Sequence, residues 1–196
     1  MKHIYSAILM LLSSLTFSAP IDLDNIGGMK NQNIDIRLSN NNVQLNYDFR
    51  IPGQRVFSYN AISYNDDNEQ SADITTGILI RNPTSFGSKV SIGATISALY
   101  TEESKATGFY LSVFAGLSDS NRNPNSLYYN VSASVSPNIV SIGDVDNVYK
   151  TKAEMGIHLT DGANLFVGYN YFRVNSDKIN YHEIAKHPFV GISLNF

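Results

Sequence analysis

No cysteine occurs among the 196 residues. That excludes a disulfide framework, a thiolate metal site, a cysteine nucleophile and a lipoprotein-type lipid anchor. Tryptophan is absent too, so any aromatic belt must come from the 12 tyrosines and 10 phenylalanines. Charge is scarce: 14 basic and 17 acidic side chains make up 16% of the chain. No basic stripe marks a nucleic-acid surface. Past the first twenty residues, no stretch is apolar enough to cross a bilayer as a helix. A chain of this kind can enter lipid only as a closed barrel, because helices and barrels alone satisfy every backbone polar group there.

The N-terminus has the layout of a cleavable secretory leader. Met1-Lys2-His3 is a short basic start, Ile4 to Phe17 is an apolar run, and small residues follow. Cleavage is expected after Ser18, with Thr16 and Ser18 as the small pair. This divides the chain into a leader (1–18), a flexible lead (19–30) and a barrel (31–196).

From Asn31 onward the hydrophobic period is two, the signature of strands. Ile34, Ile36 and Leu38 alternate with Asp35 and Arg37. Val43, Leu45, Tyr47 and Phe49 alternate with Gln44, Asn46, Asp48 and Arg50. Similar runs cover 72–81, 89–100, 108–117, 127–136, 148–159 and 164–174, and a closing run holds Pro188, Val190, Ile192, Leu194 and Phe196. The segment 55–64 is less regular, with Phe57, Tyr59 and Ala61 on one parity and Ile62 and Tyr64 on the other. Most of these runs approach the nine to eleven residues that a tilted strand needs to cross a bilayer. The expected fold is therefore all-β, a closed antiparallel transmembrane barrel of ten strands, with eight possible if the first two are short.

Three features favour a membrane barrel over a soluble sandwich. One face stays apolar along nearly every strand. Aromatics collect at the strand ends, with Tyr64, Tyr100, Phe109, Tyr149 and Tyr171 at one rim and Phe49, Phe57, Tyr129 and Phe196 at the other. The alternating run Val190, Ile192, Leu194, Phe196 has the form of a C-terminal insertion signature for outer-membrane assembly.

Three C-terminal stretches, SIGDVDNVYKTKAEMGIHL (141–159), DGANLFVGYNYFRVN (161–175) and HPFVGISLNF (187–196), resemble the YfaZ family of outer-membrane proteins. The resemblance implies a small outer-membrane barrel, and it supplies no catalytic residues.

Candidate chemistry is sparse. His182 and Glu183, with Ser176 nearby, fall in an expected outer loop (175–186), and His187 follows it directly. They could form the His–Ser pair of a rim-located lipid-modifying enzyme, a lipid A acyl hydrolase or transferase, if base and nucleophile came within hydrogen-bond reach. The simpler reading is an exposed polar loop. Glu154 and His158 share a parity, but at about 3.3 Å per residue they stand about 13 Å apart and cannot share a metal. No metal or cofactor is expected. Asp35, Arg37, Asp48, Arg50, Asp73, Arg81, Lys150, Lys152 and Glu154 are expected to face inward as a lumen charge cluster. A narrow barrel fills much of its interior with side chains, so mixed charges there suggest a paired plug, with a narrow solute or ion path as the alternative. The expected partners are outer-membrane lipid and lipopolysaccharide, with the barrel-assembly machinery and periplasmic chaperones during biogenesis. The expected assembly state is a monomer.

Overall fold

A computed structural model describes residues 32–52, 54–66, 70–102, 105–119, 123–176 and 179–196, with the backbone alone for 179–182. The leader and lead read at 1–30 lie outside the described residues. Eleven strands follow one another: β1 Gln32–Leu38, β2 Asn42–Arg50, β3 Val56–Asp66, β4 Gln70–Pro83, β5 Ser88–Thr101, β6 Thr107–Asp119, β7 Leu127–Ser136, β8 Ser141–Gly143, β9 Asn147–Thr160, β10 Ala163–Ser176 and β11 Ile179–Asn195. Ten of them are staves, each antiparallel to its sequence neighbour, and β1 pairs with β11 to close the ring. The fold is a closed ten-strand barrel with no α-helix among the described residues.

The three-residue β8 is an insertion in this plan. β6 pairs with β7 only over Val113–Ser118, and its start, Gly108–Tyr110, pairs with β8 instead. Gly143 reaches that position with φ +91°, and a Cβ there would press on the Thr107 carbonyl. Glycine alone suits both demands.

Alternation sets the two faces of the wall. Ile78, Ile92, Val113 and Val167 are half exposed or more on the outside, while Asp73, Thr75, Ser91, Ser97 and Ser112 are buried on the inside. Gln32 and Phe196 exchange backbone hydrogen bonds of 2.9 and 3.1 Å at what we call the near end. Tyr64, Tyr100, Phe109, Tyr149 and Tyr171 sit towards the far end.

Two expectations need correction. The segment 175–186 is not a loop: β10 runs to Ser176 and β11 begins at Ile179, so a tall hairpin replaces it. Its side chains lack apolar alternation, which hid the strand. In β3, Phe57, Tyr59 and Ala61 line the interior, so Phe57 is not part of the outer girdle. Ile62 and Tyr64 hold the outward parity, together with Ser58 and Asn60.

Inward glycines leave room for rings. A Cβ on Gly191 would strike the Phe166 ring and the Ile36 carbonyl. Gly191→Val should therefore cost about 1–3 kcal/mol by overpacking and lower the yield of folded barrel, read as loss of the heat-modifiable band when unboiled samples are run beside boiled ones.

Candidate functional site: the barrel interior

Every charged residue expected in the lumen faces it, either lining its cavity or buried within the wall. The staves bring most of them together in three groups. In the first, Arg37 on β1 is 1% exposed, and its Nη2 donates to Asp35 Oδ2 at 2.8 Å and to Glu154 Oε2 at 3.3 Å. Lys152 Nζ lies 3.5 Å from the same Glu154 oxygen, and Asn130 Nδ2 donates to Glu154 Oε1 at 2.8 Å. The Arg37 guanidinium also sits over Phe166 and Phe189, at 5.5 and 5.9 Å from the ring centroids. A planar, weakly hydrated cation suits such a site, since it pairs with carboxylates and stacks on aromatic faces together.

The second group spans the lumen. Lys150 Nζ on β9 donates to Asp73 Oδ1 on β4 at 2.6 Å, and these staves stand far apart in the ring order. Thr75 Oγ1 donates to the same Asp73 oxygen at 2.9 Å, and the Tyr110 hydroxyl donates to the other. Lys150 Nζ is also 4.4 Å from the Phe172 centroid. In the third group Arg81 pairs with Asp48 and lies 4.4 Å over the Phe57 ring. Arg50 joins none of the three, its Nε donating to the Gln54 carbonyl at 2.8 Å.

Above the Lys150 bridge, towards the far end, the buried side chains are uncharged: polar ones such as Asn42, Asn65, Ser71 and Thr101, and an apolar group. Leu99, Tyr110, Val145, Val148, Phe172, Val174, Ile184 and Ala185 form one buried cluster. Its members come from β5 and β6 on one side and from β9, β10 and β11 on the other, with Val145 from the β8–β9 connection, so it crosses the ring. Below the bridges a cavity of about 540 Å³ remains. Arg50, Arg55, Lys89, Asp119, Asp161 and Asn195, all at near-end strand limits or turns, line its mouth. The interior is thus closed towards the far end and hollow towards the near end.

Sequence reasoning missed Tyr110 and the apolar cluster. Tyr110 looks like any inward alternate between Phe109 and Leu111. Nothing local reveals that it meets Asp73 on another stave.

His187 is not placed to act as a base on Ser176. Ser176 pairs in register with Ile179, and His187 with Asn170, six residues further down β10. That is about 20 Å along the strand, too far for a base and its nucleophile. Both His187 ring nitrogens are buried without a hydrogen-bond partner among the described residues. The His182 side chain lies outside what the structure describes. His158 is buried, its Nδ1 2.6 Å from Asn164 Oδ1. Among the described residues no group of three His, Cys, Asp or Glu side chains could hold a metal ion.

No family model matches the sequence, and no curated protein matches it. Solved structures do. The chain is similar to a protein described as a bacterial polysaccharide outer membrane secretin, with a TM-score of 0.52 and 15% identity over 85% of this chain. It spans 65% of the length of that protein. It is also similar to the outer membrane channel DcaP of Acinetobacter baumannii (TM-score 0.42, 11% identity, 83% of this chain and 54% of that one). A further likeness is to OmpT of Vibrio cholerae (TM-score 0.38, 7% identity, 79% and 56%). At such identities the likeness is one of fold. The fold is that of an integral outer-membrane β-barrel.

The Arg37 group yields a stability prediction. Arg37→Ala leaves Asp35 without its cation and Glu154 with Lys152 alone, which should cost about 3–5 kcal/mol. Replacing the whole group, as Asp35→Leu, Arg37→Met, Lys152→Met and Glu154→Leu, should recover most of that loss. Urea unfolding in detergent micelles compares the two variants.

Proposed function

We propose that this chain is a non-enzymatic, non-conducting outer-membrane barrel of the YfaZ type, with a structural or surface-presenting role. One observation carries the reading. The interior is crossed by the Lys150–Asp73 and Arg37–Glu154 bridges and then filled by the apolar cluster around Tyr110 and Phe172. Charges buried in this way are held by their partners, since leaving one unpaired is costly, and a packed apolar layer gives hydrated ions no path. The YfaZ assignment rests on the three C-terminal segments quoted above. Export through the leader read at 1–18, and assembly through Val190, Ile192, Leu194 and Phe196 by periplasmic chaperones and the barrel-assembly machinery, belong to the same reading. It places the near end in the periplasm and the aromatic far end in the lipopolysaccharide leaflet.

A second reading, a narrow path for small solutes or ions, is favoured by the charged cavity at the near end. Planar bilayers distinguish the two. The wild-type protein should give no defined conductance steps, and the variant Lys150→Ala, Tyr110→Ala, Phe172→Ala should give small ones. Discrete steps from the wild-type barrel would overturn the plug.

A further inference from the structure

The corrected facing of β3 exposes an anomaly on the lipid side. Elsewhere the outward residues at mid-strand are aliphatic or aromatic with few exceptions, such as Thr151. On β3 and β4 three polar side chains meet there: Ser58, Asn60 and Thr76. Asn60 Nδ2 donates to Ser58 Oγ at 3.1 Å and to the Tyr47 carbonyl at 3.3 Å. Thr76 Oγ1 donates to Asn60 Oδ1 at 2.9 Å. The three belong neither to the lumen nor to the aromatic rims, and Tyr59, Ala61 and Thr75 beside them face the lumen.

The network is nearly, but not wholly, satisfied from within. Asn60 has spent both amide hydrogens, yet Oδ1 accepts one bond and can accept another. Ser58 Oγ accepts from Asn60, and its own proton has no acceptor among the described residues. One donor, the Ser58 hydroxyl, and several acceptor positions on Asn60, Ser58 and Thr76 are therefore left towards lipid, where no water completes them. A spare donor and a spare acceptor on one patch form a self-complementary pair, which is what a two-fold interface requires.

We propose that this β3–β4 face is where two copies of the chain meet side by side in the membrane, Ser58 of each reaching Asn60 of the other. Depth selects the occupant. Two copies of one barrel stand at the same level in a bilayer, so a two-fold axis along the membrane normal brings Asn60 opposite Asn60. Lipid tails offer no polar group at that level. The neighbouring surface is compatible with close approach: on β5 the small Ala94 and Ala98 stand in register with Ile78 and Ile74. Small residues around a polar centre are the usual make-up of contacts between membrane-embedded segments. The opposite side of the ring, with Leu165 and Val167 on β10 and Val190 and Ile192 on β11, presents large apolar side chains at its centre. The proposal replaces the monomer expected from the sequence with a pair.

The absence of cysteine makes the test direct. Asn60→Cys, introduced alone and oxidised in native membranes, should give a disulfide-linked dimer, and Val167→Cys on the far side of the ring should not. Asn60→Leu should lower the dimer fraction several-fold in mild detergent while the heat-modifiable shift persists. That shift reports the barrel itself, so failure of the membrane reading and failure of the contact are separable. Should Asn60→Cys not fold, Thr76→Cys carries the same test. The proposal is overturned if neither cysteine cross-links, if Val167→Cys cross-links equally, or if the adduct contains a different protein.

Discussion

Six residue pairs, from Asn33 opposite Asn195 to Leu38 opposite Val190, join the first stave to the last. Without them β1 and β11 would each present a bare row of N–H and C=O groups to hydrocarbon, at several kcal/mol per unsatisfied group. Closure at this seam dictates the rest. It forces the inward side chains of ten staves into one narrow space, and it fixes which of them meet across it. Arg37 sits on the seam strand itself. Its pairing with Glu154 therefore depends on the ring being shut.

Within that space charged and uncharged packing divide the work by level. Carboxylates and cations from β1, β2, β4 and β9 occupy the middle, each held by at least one opposite charge or aromatic face. Towards the far end the staves contribute Leu99, Val148, Phe172 and Val174 instead. The Tyr110 ring belongs to this apolar layer and its hydroxyl to Asp73 below, so it ties the two levels together.

Much of the wall was legible because lipid on one side and a polar lumen on the other impose strict alternation. The strand read at 127–136 coincides with β7, and the alternation from Ile34 to Leu38 falls on β1. Alternation faded where its cause faded. The upper part of β11 carries Glu183 and Lys186, an exposed pair, so no greasy parity marked it as a strand. β3 has aromatic rings on the lumen side and Ser58 and Asn60 on the lipid side, which blurs its facing. The inward orientation of the lumen charges followed from parity. Which charge meets which did not, because Lys150 and Asp73 are brought together by ring closure and strand stagger, neither of which is written in a local run of residues.

The seam has a further property. β1 stops at Leu38, opposite Val190, while β11 climbs to Ile179, so from Phe189 upward β11 pairs with β10 alone. Pro188 stands where this one-sided stretch begins, a residue with no donor to waste on an empty side. Higher up, Asn65 of β3 reaches over the short first hairpin and donates to the Ile184 carbonyl at 2.6 Å. A side-chain amide thus acts there as a stitch in place of a missing ladder. Amide protons along this flank of β11 have the shortest route to solvent, so a partial opening of the wall starts from that notch and runs downward along the closing ladder.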